Sequence, residues 1–182
     1  PGKTDNITIE NCYNRASVKG TSSQTGAFVG AYGGEASGTH VISHCYTAGA
    51  ITSSSGTPGA IAGSFADYSA STGGIQRCYW DGGSNPDTAL KAVGGGVGTA
   101  TDSYSGAKTT TYMKSGSGSD TSNILVDLNT GNTDGVWSHT AGRNNDYPIF
   151  TVRLAAMDWG TVGASVFAPP CQNTVSYTHL TL

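Results

Sequence analysis

The sequence predicts an all-β fold: a parallel β-solenoid, expected to be right-handed, of about three 33-residue coils with a small mixed C-terminal cap. Three observations predict it. Cys12, Cys45 and Cys78 stand 33 residues apart, and their neighbours repeat with them. The apolar runs are short, β-branched and aromatic, and Gly, Ser and Thr clusters separate them. Helical spacing at i, i+3, i+4, i+7 is absent from the repeats.

Composition narrows the class further. The 182 residues include 27 Gly and 45 Ser plus Thr but only six Leu, which excludes a helical bundle. Charged residues are 12%, about half the usual share, and there are nine Tyr, three Trp and four Phe, which excludes a charged disordered tail. Nine Lys and Arg against twelve Asp and Glu leave a net charge of −3, without the basic surplus of a nucleic-acid binder. No window reaches the ~18 uninterrupted apolar residues of a membrane helix, so no membrane insertion is expected. The chain starts at Pro1 and is expected to be a fragment.

The first coil contains the runs Ile7–Tyr13, Ala16–Lys19 and Ala27–Tyr32, each read as a strand. The second repeats it: Ile9, Cys12 and Tyr13 map onto Ile42, Cys45 and Tyr46, and Val18 onto Ile51. Gly26-Ala27-Phe28-Val29-Gly30 maps onto Gly59-Ala60-Ile61-Ala62-Gly63. The third keeps Ile75, Cys78 and Tyr79 and then decays, with Ser84 at the Val18/Ile51 position and Gly95–Gly98 only echoing the glycine block. Terminal repeats are often atypical because they close a stack. Parallel pairing would set successive coils ~4.8 Å apart and align Ile, Cys and Tyr in columns.

Ile9 and Cys12 are three residues apart, so strict alternation would put them on opposite faces. Both point inward only if a corner falls at Glu10-Asn11, Ser43-His44 and Gln76-Arg77, which their polarity favours. The alternative is an exposed Cys column.

The unit Ile-x-x-Cys-Tyr, then Val/Ile, then Gly-Ala-(Phe/Ile)-(Val/Ala)-Gly resembles the GLUG repeats of bacterial surface proteins. The resemblance covers residues 5–98, and residues 1–98 are taken as the repeat region. It implies an extracellular or cell-surface segment of a large adhesin-like protein, with glycans or host matrix proteins as partners. It also implies two alternatives: a glycan-binding module, or an accessory repeat region of a secreted metallopeptidase. No catalytic motif travels with such repeats, and no enzymatic activity is expected.

Residues 99–153 are read as a capping segment that covers an open end of the stack. Thr109–Lys114 and Asn123–Asn129 are its plausible short helices, and Gly131 would stop the second. Leu125, Leu128, Trp137, Tyr147 and Phe150 would form the plug. Residues 154–174 are an extension without an assigned role. Residues 175–182 resemble a translated sequencing adapter at the broken end of a metagenomic reading frame, and are expected to be non-native.

Chemistry-bearing residues are sparse. Spacings of 33 do not fit zinc ligation, and parallel Cβ vectors in a column disfavour disulfides, so Cys12, Cys45 and Cys78 are expected as buried free thiols. Cys171 has no partner in the pattern. His40 and His44 have a ligand spacing only on a helix, His139 stands alone and His179 lies in the tail; all four are read as surface histidines. Asp81–Asp87 and Asp127–Asp134 are oxygen-rich but miss the calcium-loop pattern, so turn chemistry explains them and neither metal nor cofactor is assigned. Along the coils Glu10 becomes Ser43 and Gln76, and Arg15 becomes Ala48, so no charged cleft is expected. Polar contact is assigned to the loops Thr21–Thr25, Ser53–Thr57 and Ser69–Thr72. The candidate ligand-binding residues are Tyr13, Tyr46 and Tyr79, as a sugar-stacking column if it faces out; the competing reading packs it against a loop.

Overall fold

The computed structural model describes residues 7–32, 40–65, 73–85, 89–94, 101–116, 123–132 and 135–151. They are mostly strand. Each repeat begins with a strand and turns at a corner; the first two continue as three more strands and the third as two. The first tier holds β1 (Ile7–Glu10), β2 (Tyr13–Asn14), β3 (Val18–Gly20) and β4 (Val29–Tyr32). The second holds β5 (His40–Ser43), β6 (Tyr46–Thr47), β7 (Ile51–Ser53) and β8 (Gly59–Phe65). The third holds β9 (Gly74–Gln76), β10 (Tyr79–Asp81) and β11 (Lys91–Val93). The run expected over Ile7–Tyr13 is thus two strands.

Equivalent strands pair in parallel. One sheet runs β1-β5-β9, with Ile9 opposite Ile42 and Ile42 opposite Ile75. Tyr13, Tyr46 and Tyr79 are successive partners in a second sheet, Val18 faces Ile51 in a third, and β4-β8-β11 form a fourth. The period read from the sequence is the register of these pairings, except between β8 and β11, where Gly59 faces Lys91, Ala62 faces Val93 and the register shifts between them.

The break between β1 and β2 has a single cause. Asn11, His44 and Arg77 are left-handed, with φ of 52°, 51° and 48°. One such residue turns the chain, so Ile and Cys both face inward. A left-handed non-glycine residue costs about 1–2 kcal/mol, least for Asn. Each corner amide is satisfied: Asn11 N–H donates to Ser43 O at 3.1 Å, His44 N–H to Gln76 O at 3.1 Å, and Arg77 N–H to Asp102 Oδ2 at 3.0 Å. The corner reading holds, and the exposed Cys column does not.

The core between the sheets contains Ile42, Cys45, Ile51, Ile61, Ile75 and Cys78, all without solvent exposure. Each buried aliphatic side chain contributes roughly 1.5–3 kcal/mol. The glycine column has a steric origin: a Cβ on Gly59 would lie 1.8 Å from Ala62 O, and one on Gly26 2.4 Å from Val29 O.

A partial fourth tier follows. β12 (Gly106–Lys108) pairs with β10, with Gly106 opposite Tyr79, and Thr101 bridges Ile75. Ser105 stands where Cys is expected: Cys78 N–H donates to Ser105 Oγ at 2.9 Å, as Cys12 N–H donates to Cys45 Sγ at 3.3 Å. The offset here is 27 residues, so the 33-residue period misses it. Where the third repeat decays, Asn85 replaces a strand: its Oδ1 accepts Ile51 N–H at 2.8 Å.

Both expected helices form. α1 (Thr110–Met113) is capped by the Thr109 hydroxyl, and α2 (Ile124–Asn129) by the Asn123 carbonyl oxygen. β13 (Trp137–Ser138) and β14 (Ile149–Phe150) make an antiparallel pair. Of the expected capping segment, residues 101–108 pair onto the third tier, and the described residues of 109–151 continue away from that end. The latter lie along one flank, touching Asn11, Tyr13 and Arg15 of the first tier, His44 and Tyr46 of the second, and Asp81 of the third. The tyrosine column, apolar on its ring faces, needs the longer cover. Among the described residues no helix is long and apolar enough to cross a membrane. Residues 152–182, with Cys171, His179 and the assigned tail, lie outside the described residues, as do Ser69–Thr72 and Gly95–Gly98.

Candidate functional site

The tyrosine column meets the flanking segment in a seam of rings and hydrogen bonds. Tyr46 and Tyr79 are buried, and Tyr13, at the end of the column, is half-buried. Tyr13 and Tyr46 stack with centroids 5.4 Å apart and planes 7° apart. Trp137 meets both edge-on, at 6.1 Å and 5.4 Å. Leu128 and Trp137 are buried in this cluster, Leu125 packs against it, and Phe150 lies 5.5 Å from Tyr13 while 43% exposed. The outward face that sugar stacking requires is therefore missing at Tyr46 and Tyr79; the column packs against the flank.

A second column gives the seam its polar order. Arg15, Ala48 and Asp81 occupy equivalent positions in three tiers. Ala48 and Tyr147 are buried in one cluster. The Arg15 guanidinium lies 4.6 Å from the Tyr147 ring centroid, and the Tyr147 hydroxyl donates to Asp81 Oδ2 at 2.5 Å. Arg15 also donates to Asn144 Oδ1 at 2.9 Å and to the Asn144 carbonyl. Asn144 Nδ2 donates to the Tyr46 hydroxyl at 2.9 Å, and that hydroxyl donates to Pro148 O at 2.6 Å. This network holds three consecutive left-handed residues, Asn144, Asn145 and Asp146.

Asp81 is fully buried, and no cation among the described residues forms an ion pair with it. Four donors take a cation's place: Tyr147 Oη, Thr110 Oγ1 at 2.7 Å, Ser84 Oγ at 2.9 Å and Gly83 N–H at 2.8 Å. Burial pushes its carboxyl pKa up, but the hydrogen bonds outweigh burial and hold it below the ordinary 3.8. Tyr147 is pushed up to about 12, first by burial and then by its bond to Asp81. Tyr112 is also raised to about 12 by burial and by its bond to Asp127, and burial raises Tyr46 and Tyr79. The anion stays charged and the phenols stay protonated at neutral pH. The seam works as a lock: a fixed anion, its donors and a ring inserted between charges.

The remaining candidates fall elsewhere. Cys12, Cys45 and Cys78 are free thiols. Each donates to the carbonyl two residues earlier, at 3.2, 3.0 and 3.3 Å. The Cys45 thiol pKa is raised by its bond with Cys78 and by burial. His40 is 1% exposed, which corrects its surface reading: it opens the middle strand of a three-stranded sheet, covered on both edges. His44 forms a corner, 3.2 Å from Thr130 O, and His139 lies 3.1 Å from Asp146 O. Thr25, assigned to a contact loop, is buried, its hydroxyl turned back to Ser22 O at 2.7 Å. Among the described residues no group of three or more His, Cys, Asp or Glu is placed to hold a metal ion.

Sequence reasoning followed the Arg15 position only as far as Ala48, passed over Thr110 and Asn144, and read Asp81 only as turn chemistry. A signal existed: a cation, an alanine and an anion at one column position. No family model, curated protein or solved structure matches this chain.

Proposed function

We propose that the chain is a structural and adhesive segment of a large secreted or cell-surface bacterial protein, its repeats forming the coils of a right-handed parallel β-solenoid. The observation that carries this reading is the register: identical residues 33 apart pair across three tiers. A chain returning in parallel to the same sheets is right-handed in ~98% of crossovers. Such a stack supplies length and stiffness, and the polar residues Thr21–Gln24 and Ser54–Thr57 lie on its surface. The GLUG resemblance adds the extracellular setting. Within the aromatic seam, the glycan-binding alternative contracts to Tyr13 and Phe150, which keep exposed area there.

Display of the chain on a non-adherent bacterium tests the reading. Attachment to matrix-coated or glycan-coated surfaces is expected to rise. If Tyr13→Ala abolishes it, the binding resides at that pair; if attachment never exceeds that of bare cells, the adhesive role fails.

A further inference from the structure

The two ends of the stack differ in chemistry. At the fourth tier the columns are blunted: opposite Ile75, Cys78, Tyr79 and Trp80 stand Thr101, Ser105, Gly106 and Ala107, and Lys108 ends the strand. Small and charged residues are what an edge strand uses to refuse a partner. At the first tier the columns stay apolar. Ile7 is 38% exposed, and Ile9, Cys12, Tyr13, Val18 and Phe28 are partly exposed, where Ile42, Cys45, Tyr46, Ile51 and Ile61 are 0% exposed one tier on.

The backbone differs in the same sense. Tyr46 N–H donates to Cys12 O at 3.1 Å, and Ala48 N–H to Asn14 O at 2.9 Å. The equivalent amides of the first tier, Tyr13 and Arg15, have no acceptor among the described residues. β1, β2, β3 and β4 are each the outermost strand of their sheet.

We propose that this edge receives a further unit of the same 33-residue pattern, added in parallel ahead of Ile7. The inference rests on reading the repeats as stacked coils. The occupant follows from continuity with the interface between the first two tiers. There Ile meets Ile, Tyr stacks on Tyr, and Cys45 Sγ accepts the N–H of Cys12 one tier before. Cys12 Sγ presents that acceptor again at the open edge. A second copy meeting this edge head to head would run its strands antiparallel and lose these columns; only a parallel unit of like sequence matches them all.

The test is hydrogen exchange on the full chain and on a chain with a copy of residues 40–72 inserted between Asn6 and Ile7. Protection of Tyr46, Tyr79 and Gly106 in the parent chain reports the stack itself; its absence there defeats the coil reading. Given that protection, the inserted unit is expected to slow exchange at Tyr13 and Arg15 about tenfold or more. Unchanged exchange at those two amides overturns the proposal. So does loss of protection at Tyr79 and Gly106 on insertion, because the unit would then not fit the edge. Concentration-dependent protection of Tyr13 and Arg15 in the parent overturns it in favour of a second copy. An insert with Ser at its Ile42, Cys45, Tyr46 and Ile51 positions is expected to leave both amides unprotected.

Discussion

The Tyr147 hydroxyl donates to Asp81 Oδ2 at 2.5 Å, joining residues 66 positions apart. The bond fastens the flanking segment to the third tier and completes the donor set of a buried anion. A hydrogen bond to a charged group contributes about 1.5–3 kcal/mol. Tyr147→Phe is expected to lower stability by about that amount in urea titration. Asp81 also sets an acid limit. Its folded pKa lies below the ordinary 3.8, so its contribution is complete above that value and is lost as pH falls through the folded pKa. Asp81→Asn is expected to flatten this part of the stability profile below about pH 4. An unchanged acid slope would remove Asp81 from the account.

Ala48 is buried in the same cluster as Tyr147, whose ring meets Arg15 one tier before it and whose hydroxyl meets Asp81 one tier after. Ala48→Leu is expected to expel the ring and cost about 1–3 kcal/mol. The near-ultraviolet circular dichroism of the stacked aromatics should weaken while far-ultraviolet strand signal persists. Retention of both signals would mean that this packing does not hold the ring.

Thr47 is fully buried, and its Oγ1 has no hydrogen-bond partner among the described residues. A desolvated hydroxyl of this kind costs about 1–3 kcal/mol. Thr47→Val keeps the shape and removes the hydroxyl, so thermal unfolding is expected at a higher midpoint. A lower midpoint would point to a partner for this hydroxyl.

The cysteine column should react from one end. In a Cys171→Ser background, a thiol reagent is expected to modify Cys12 first. Cys45, buried and with its pKa raised, should react only with unfolding, together with buried Cys78. Equal rates for the three thiols in native buffer would contradict the packing.

The repeats were legible in the sequence because a parallel stack writes its contacts into one period. Ile9, Ile42 and Ile75 share a column in the text and a sheet in the fold. The short helices were legible from Thr109 and Asn123, whose side chains favour caps. The fourth tier was hidden because Ser105 and Gly106 keep the place of Cys and Tyr but not their chemistry, at a different spacing. The position of the flank was hidden because long-range bonds such as Arg15 to Asn144 and Asn11 to Trp137 leave no local pattern. His40 misled because a histidine carries no mark of burial; its strand partners decide that.

The circuit from Tyr79 to Gly106 closes in 27 residues, while the full repeats take 33. The difference, 33 − 27 = 6, is length that the chain does not need between one strand and its parallel partner. Both spacings leave the strands paired in parallel. Axis and periphery are thereby uncoupled: sequence drift can lengthen, shorten or recolour the rim while the spacing of the tiers stays set by backbone pairing alone.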